Sequence, residues 1–189
     1  MKDIYKKISL TLKTLRRERG WSLDKAAKET GISKAMLGQI EREESSPTIA
    51  TLWKIASGFD TSFSTFIEDI STDFNQPVYR SGQAQPLHPS DRGIRVMPLF
   101  PYDHELSFEI FVIELLPGCE HLSPPHQHNV IEHVVVVNGE VEVLVSDIWK
   151  SLSQGEGLRF NANQLHGYRN TSSEVSCFHD IIHYPNNKS

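Results

Sequence analysis

The sequence lacks long apolar runs and contains little cysteine. Its longest uninterrupted apolar segments are four residues long in a chain of 189 residues, whereas a membrane-spanning helix needs about 20. Two cysteines, Cys119 and Cys177, are too few for a small secreted domain held together by disulfides. The first residues alternate charged and apolar side chains and lack the apolar segment of a signal peptide. We therefore expect a soluble cytoplasmic protein with free thiols.

Charge is divided unevenly along the chain, although the net charge is only −5. Residues 1–58 carry twelve Lys or Arg against seven Asp or Glu, whereas residues 71–189 carry seven against fourteen. All nine histidines lie beyond residue 87. A basic first part suits a polyanion such as DNA, and an acidic, histidine-rich second part does not. The two parts are therefore expected to have different functions.

Residues 22–42 have the pattern of two short helices joined by a tight turn, SLDKAAKETGISKAMLGQIER. Ala26 and Ala27 are small enough for two helices to touch, and Gly31 suits the positive φ of a helix end. Ser33 can cap the second helix. The apolar stripe of that helix would consist of Ile32, Leu37 and Ile40. Its outer face would stay polar, with Ser33, Lys34, Gly38, Gln39 and Arg42. This arrangement predicts a DNA-reading helix-turn-helix.

The whole of residues 1–70 is predicted to be helical. The pattern indicates one helix before the pair and two after it, which gives a bundle of five helices. The fifth is expected from the apolar spacing between Phe63 and Ile70. Residues 71–93 lose this periodicity and collect proline and glycine, which is typical of a linker.

From residue 94 to residue 189, short segments of β character are separated by turns. Eight strands and no helix are expected there, which favours a β-sandwich or barrel of jelly-roll shape. Asn138 and Gly139 predict a hairpin because both residues accept positive φ. The predicted fold class is therefore multidomain α + β, with a helical domain over residues 1–70 and an all-β domain over residues 94–189.

Four residues of the β domain form a candidate metal site. His126, His128 and Glu132 are spaced by even numbers, which would place their side chains on one face of an extended chain. With His166 from a later strand, they offer three imidazole nitrogens and one carboxylate. This ligand set suits a divalent metal ion: Zn²⁺ is the first expectation for the purified protein, and Fe²⁺, Mn²⁺ or Ni²⁺ are alternatives.

The spacing around these residues resembles the two sequence motifs of the cupin family. The pattern G-x7-H-x-H-x3-E-x6-G, which starts at Gly118, is similar to the first motif, and G-x10-H-x3-N, which starts at Gly155, is similar to the second. The gap after Gly118 is longer than in the usual first motif. The resemblance covers residues 94–184, and it implies a jelly-roll barrel whose three histidines and glutamate hold a metal ion.

Residues 8–67 resemble the phage-repressor, or Xre-type, helix-turn-helix family. The segment GISKAMLGQIERE is similar to the recognition helix of that family. The resemblance assigns DNA contacts to Ser33, Lys34, Ala35, Gln39 and Arg42, and the outer face of the helix adds Gly38 to the predicted DNA-binding set. Among these, Gln39 could pair with adenine, and Lys34 with guanine or with phosphate. Arg42 aligns with a contact to the DNA backbone.

The order of the two parts resembles a class of bacterial one-component regulators, in which a Xre-type head binds operator DNA and a C-terminal cupin senses a small metabolite. The sequence SKAMLGQIER-x-ESSPT-x-ATLWKIA most resembles members linked to sulfur utilisation. This resemblance implies an amino-acid-like or sulfur-containing effector. Arg95, Arg159 and Tyr168 are candidate partners for a carboxylate or ring of that effector. We expect a homodimer, because two-fold symmetry doubles the few base pairs that one head reads, and no membrane partner.

Two other classes of function stay open. A metal-dependent cupin enzyme of dioxygenase or isomerase type could be tethered to DNA by the helical part, because an open metal position permits such chemistry. The helical part could also serve only for protein contacts. Against an enzyme, the chain offers no obvious acid or base beyond the metal ligands, with Tyr102, Tyr168 and His133 as weak candidates. We therefore assign no catalytic residue and expect a regulator rather than an enzyme.

Overall fold

The computed structural model describes residues 2–67, 91, 93–126 and 129–185. The predicted linker thus lies outside the described residues except for Asp91 and Gly93. His128, one of the four expected metal ligands, also lies outside them. Among the described helices, none combines the length and the hydrophobicity that crossing a bilayer requires.

Four α-helices form the N-terminal part: α1 (Lys2–Glu18), α2 (Leu23–Thr30), α3 (Lys34–Glu41) and α4 (Ile49–Gly58). The side chains of Ser22, Ser33 and Thr48 cap the last three, since each accepts a hydrogen bond from a backbone N–H of the first helical turn. Gly31 ends α2 with a φ of +66°, a left-handed conformation that suits glycine. The predicted pair of short helices is therefore present as α2 and α3.

The prediction of a fifth helix is wrong. Residues Ser64–Phe66 form a single 3-10 turn instead, and Ile70 lies outside the described residues. The hydroxyl groups of Thr61 and Ser62 both hydrogen-bond that of Thr65. Short hydroxyl side chains of this kind compete with helical backbone bonding. The described helical part therefore contains four α-helices and one short turn.

Helices α2 and α4 approach each other very closely at one point. A Cβ atom on Gly58 would lie 2.6 Å from Thr30 Cα and 2.8 Å from the carbonyl oxygen of Glu29. Only glycine therefore allows the two backbones to come so near. Thr30 is itself buried, and its hydroxyl donates to the carbonyl oxygen of Ala26 at 2.8 Å. The two helices consequently touch backbone to backbone, with no layer of side chains between them.

Nine antiparallel strands form the C-terminal part within the described residues. They are β1 (Ile94–Asp103), β2 (Phe108–Leu115), β3 (Glu120–Ser123), β4 (Ile131–Asn138), β5 (Glu140–Val145), β6 (Ile148–Ser153), β7 (Gly157–Asn161), β8 (His166–Arg169) and β9 (Ser176–His183). One sheet has the strand order β1-β2-β9-β4-β7, and the other has the order β3-β8-β5-β6. The expected all-β cupin architecture is confirmed. The eight predicted strands did not include β3, which immediately precedes the loop that carries His126.

The hairpin predicted at Asn138 and Gly139 is wrong, although the connection there is tight. At Gly139 the chain passes from one sheet to the other, since β4 pairs with β7 and β9 whereas β5 pairs with β6 and β8. A two-residue hairpin joins β5 to β6 at Ser146 and Asp147, whose φ angles are +52° and +61°. Positive φ at both positions is the geometry of a type I′ turn, here without glycine.

The helical part and the five-stranded sheet share one hydrophobic core. Trp53 of α4 stacks on Phe63, whose ring meets that of Phe111 in β2 edge-on at a centroid distance of 5.7 Å. Beside these rings lies the fully buried carboxylate of Glu109. It accepts hydrogen bonds from the backbone N–H groups of Phe63, at 3.2 Å, and Ser64, at 3.0 Å. The helical part is therefore joined to β2 by both apolar and polar contacts.

Candidate functional site

Three of the four expected metal ligands converge between the two sheets. His126 Nε2 lies 2.9 Å from Glu132 Oε1, and His166 Nε2 lies 3.4 Å from the same oxygen. One candidate ligand atom from each residue lies within 4.8 Å of the other two. All three side chains are almost completely buried. The structure thus brings together every member of the predicted set that it describes.

Different elements position the three side chains. Glu132 points inward from β4, and His166 is the first residue of β8. His126 lies in the loop between β3 and β4, where its backbone N–H donates to the carbonyl oxygen of Ala162 at 2.8 Å. Asn129 in this loop has a φ of +53°, so the chain is not extended at this residue. The even spacing assumed one strand face, whereas His126 and Glu132 come from a loop and from β4 on either side of this bend.

Hydrogen bonds fix the orientation of Glu132 and His166. The hydroxyl of Tyr168 donates to Glu132 Oε2. His166 Nδ1 lies 2.9 Å from the carbonyl oxygen of Gln164, and because a carbonyl only accepts, this nitrogen carries the proton. With Nδ1 held in this way, Nε2 of His166 faces the carboxylate of Glu132. A metal-ligating histidine is commonly held in this way by a carbonyl on its far nitrogen.

The donor groups of the site are suited to a bound cation. Burial alone would raise the pKa of Glu132, but the charge of His166 and hydrogen bonds from His126 and His166 outweigh it and hold this pKa well below its ordinary value. Burial likewise opposes protonation of His166, yet the charge of Glu132 and its hydrogen bond raise the pKa of His166. A buried carboxylate and two imidazoles directed at one point form a donor set that a divalent metal ion satisfies. The residues present therefore fit a metal ion.

A cavity of about 20 Å³ adjoins these ligands, which is room for about one water-sized group. Asp180 of β9 lines it, and its Oδ1 has no hydrogen-bond partner among the described residues. Burial, and then the charges of Glu132 and Glu109, raise the pKa of Asp180 well above its ordinary value. His121 also lines the cavity, where burial and the charge of His166 lower its pKa to about 4. Both shifts favour the uncharged form of these two groups beside the candidate ligands.

Sequence reasoning missed several residues of this cavity. A signal for Asp180 was present, because alternation along β9 places it on the same buried face as Phe178 and Ile182. No signal could have identified Ile49 and Trp53, which belong to α4 and line the same cavity. The ring of Trp53 lies over that of His126, with 4.3 Å between centroids and an interplanar angle of 29°. A helix of the N-terminal part thus contributes directly to the candidate metal site.

Of the three residues predicted to bind an effector, the structure brings only Tyr168 to the cavity. Arg95 occupies the opposite face of β1 from the cavity-lining Ile94 and Val96, and it pairs with Glu114 at 3.1 Å. Arg159 is exposed on β7. Both arginines alternate with inward-facing neighbours, and residue type alone did not reveal which face of the strand they occupy. Neither arginine is therefore part of this cavity.

Helix α3 presents the polar outer face that the sequence indicated, with one correction. The exposed residues of the predicted DNA-binding set are Ser33, Lys34, Ala35, Gln39 and Arg42. Gly38, however, is buried. A Cβ atom at Gly38 would lie 3.1 Å from Arg42 Nη1 and 3.7 Å from Leu23 Cδ1, so those two side chains cover the glycine. Gly38 therefore does not belong to the exposed face of α3.

Comparisons with known proteins match both parts of the chain. Residues 12–66 match the helix-turn-helix family, and residues 111–182 match the cupin domain family. The chain is 47% identical over 185 residues to the HTH-type transcriptional regulator SutR of Escherichia coli strain K12, which covers 98% of this chain and 99% of that protein. The crystal structure of an HTH_3 family transcriptional regulator from Vibrio cholerae is 45% identical, covers 97% of this chain and 98% of its own, and has a TM-score of 0.84.

Proposed function

The chain belongs to the family of HTH-type transcriptional regulators that join a helix-turn-helix to a cupin domain, and on that premise we propose that α3 reads operator DNA while the cupin holds a divalent metal ion and senses a small molecule. The observation that carries this proposal is the combination of an exposed polar face on α3 with a buried cluster of His126, Glu132 and His166. An enzyme would have no need of the first feature.

Base recognition is proposed for the exposed side chains of α3. Gln39 is suited to a bidentate pair with adenine N6 and N7, and Lys34 to guanine O6 and N7 or to phosphate. Without DNA, Lys34 pairs with Asp24 at 2.8 Å and Arg42 pairs with Glu44 at 2.6 Å. Both pairs are largely exposed, and such pairs are weak because water and salt screen them. Phosphate can therefore replace the two carboxylates at little cost, which favours salt-dependent binding.

A homodimer is proposed as the DNA-binding form. One helix-turn-helix contacts only a few base pairs, and two related by a two-fold axis read two half-sites about 34 Å apart, one turn of the duplex. The cupin sheets are proposed to supply most of the contact between the two copies, because sheets offer a large surface for a symmetric interface.

For the metal, we propose a divalent ion held by His126, Glu132 and His166, with His128 as a fourth ligand. Two nitrogens and a carboxylate, or three nitrogens and a carboxylate, suit Zn²⁺ first and Fe²⁺, Mn²⁺ or Ni²⁺ as alternatives. When bound, the ion would supply a positive centre with open coordination positions for a donor atom of an effector. Tyr168 would keep Glu132 oriented through its hydrogen bond.

An amino-acid-like or sulfur-containing molecule is proposed as the effector. The cavity of about 20 Å³ beside the ligands holds about one water-sized group, which is less than such a molecule occupies. Effector binding therefore requires the elements around the cavity to move. An effector can change DNA affinity only if it binds one placement of the helical part on the cupin more tightly than another. Displacement of a cavity wall would provide such a difference.

Replacing Gln39 with alanine is expected to reduce discrimination between operator and unrelated DNA by about 1–3 kcal/mol, because a bidentate base contact is lost. Fluorescence anisotropy with labelled DNA from upstream of the protein's own coding region measures this. Gln154→Ala is the matched control, since Gln154 is exposed on a turn of the cupin part. Equal discrimination by Gln39→Ala and the parent would mean that α3 does not read bases through this residue.

A further inference from the structure

The metal cavity is not made by the cupin alone. Ile49 and Trp53 of α4 line the same cavity as His126, Glu132 and His166. Trp53 is only 8% exposed, and its ring lies over that of His126 with 4.3 Å between centroids. A helix of the DNA-binding head therefore closes one side of the site.

His126 depends on this contact more than His166 does. The far nitrogen of His166 is anchored to the carbonyl oxygen of Gln164, which sets the orientation of its ring. His126 Nδ1 is buried and has no hydrogen-bond partner among the described residues. Metal-ligating histidines are usually oriented by a hydrogen bond from that second nitrogen. Without such a bond, the described contacts of the His126 ring are its Nε2 against Glu132, the edge-on ring of His166 at a centroid distance of 4.9 Å and the stacked ring of Trp53. Of these, the stacking of Trp53 covers the face of the ring.

Helix α4 is itself held from three sides. Trp53 stacks on Phe63 at a centroid distance of 4.6 Å. At the start of the helix, the backbone N–H of Ile49 donates to Asp91 Oδ2 at 3.0 Å. At its end, Gly58 touches the backbone of α2 at Thr30. The helix therefore connects the metal cavity at one end with the helix-turn-helix pair at the other.

We propose that α4 is the lid of the metal cavity, that Trp53 is a positioning residue for the ligand His126, and that metal affinity and DNA affinity are thereby linked. This inference rests on the proposed metal site and deepens it. Whatever moves the head relative to the cupin moves Trp53 away from His126 and weakens the site. By thermodynamic reciprocity, filling the site then favours one placement of the head.

Cobalt binding to the full-length protein tests the positioning role, because the visible absorption of Co²⁺ reports its ligand geometry. Trp53→Leu is expected to lower Co²⁺ affinity about 10–100-fold, as loss of an orienting partner does, and to alter the absorption bands. Trp53→Phe keeps an aromatic face and is expected to restore most of the affinity. Trp21→Leu is the matched control, because Trp21 packs on Phe59, another aromatic residue of the helical part.

A second measurement leaves Trp53 in place. In the double variant Trp21→Phe, Trp149→Phe, Trp53 is the only tryptophan, and one equivalent of Co²⁺ is expected to quench more than half of its fluorescence. Absence of quenching with Co²⁺ bound would overturn the proposal that α4 covers the metal cavity. In the same way, parent-like affinity and spectrum in Trp53→Leu would overturn the positioning role. Failure of the parent to bind Co²⁺, or equal binding by Glu132→Gln, would instead overturn the proposed metal site.

The linkage is tested with the upstream DNA fragment, measured with and without Co²⁺. The parent is expected to show at least a fivefold difference in DNA affinity, within the usual range of coupling between sites. Trp53→Leu is expected to reduce this difference to less than twofold while Trp21→Leu keeps it. An unchanged difference in Trp53→Leu, or none in the parent with Co²⁺ bound, would overturn the linkage.

Discussion

Glutamine in place of Glu132 is expected to leave the purified protein with less than about one tenth of the parent's metal content. Glu132 supplies the negative charge of the site, and both His126 and His166 face its Oε1, at 2.9 and 3.4 Å. An amide oxygen is a weaker ligand than a carboxylate, and the amide NH₂ repels a cation. Loss of an outer partner of a ligand already weakens metal binding about 10–100-fold, so loss of this ligand is expected to weaken it at least ~100-fold.

Elemental analysis of the purified protein and titration with Co²⁺ both measure this loss. Glu105→Gln is the control, because Glu105 is exposed in the turn between β1 and β2. Thermal unfolding followed by circular dichroism establishes that Glu132→Gln is folded, which we expect since Tyr168 can still donate to the amide oxygen. Parent-like metal content in folded Glu132→Gln would contradict the assignment of the site.

Alanine in place of Glu109 is expected to destabilise the protein by about 3–9 kcal/mol. The variant leaves two backbone N–H groups, of Phe63 and Ser64, and the hydroxyl of Tyr184 without their acceptor. Each unsatisfied buried donor costs about 1–3 kcal/mol. The expected loss is comparable with the whole stability of many domains, and it falls on the contact between the helical part and the sheet.

Urea unfolding at equilibrium measures this cost. Glu114→Ala is the matched control, because Glu114 is on the same strand but pairs with Arg95 on the outer, partly exposed face, where an ion pair contributes about 0–1 kcal/mol. Glu109→Gln retains an acceptor oxygen and is expected to be less destabilised than Glu109→Ala. Equal stability of Glu109→Ala and Glu114→Ala would show that Glu109 does not join the two parts in solution.

The pH dependence of the same variant has a definite sign. Burial raises the pKa of Glu109 above its ordinary value, although the hydrogen bonds from Ser64, Tyr184 and Phe63 act in the opposite direction. As the pH rises above that ordinary value, the unfolded chain releases the proton and the folded chain keeps it, so stability falls, by at most about 1.4 kcal/mol per pH unit. The cost of Glu109→Ala is therefore expected to be largest in acid and to shrink as the pH rises.

The sequence alone predicted the elements better than their contacts. Local patterns were enough to predict the cap at Ser33 and the end of α2 at Gly31, because these features depend on neighbours in the chain. The hairpin at Ser146 and Asp147 escaped prediction because neither residue is glycine, while Asn138 and Gly139 mark a passage between sheets that resembles a hairpin in sequence.

The candidate site was predictable in its ligands but not in its surroundings. His126, Glu132 and His166 follow from residue type and motif spacing. Trp53 reads as an ordinary core residue of a helix, because nothing in its local pattern shows that a separate β domain lies against it. Gly38 illustrates the opposite error, since its place on the outer face hid the fact that longer side chains close over it.

The close contact between Gly58 and Thr30 leaves no room for a further side chain between α4 and α2 at that point. We therefore expect a shift of α4 to be passed on to α2, the first helix of the helix-turn-helix pair, at this contact. In the proposed two-fold dimer, the same shift in both copies would move the two α3 helices in opposite directions and so change the distance between them. The two α3 helices can bind successive major grooves only when their separation matches one turn of the duplex, about 34 Å. The conformation of the cupin would then decide whether that match is met.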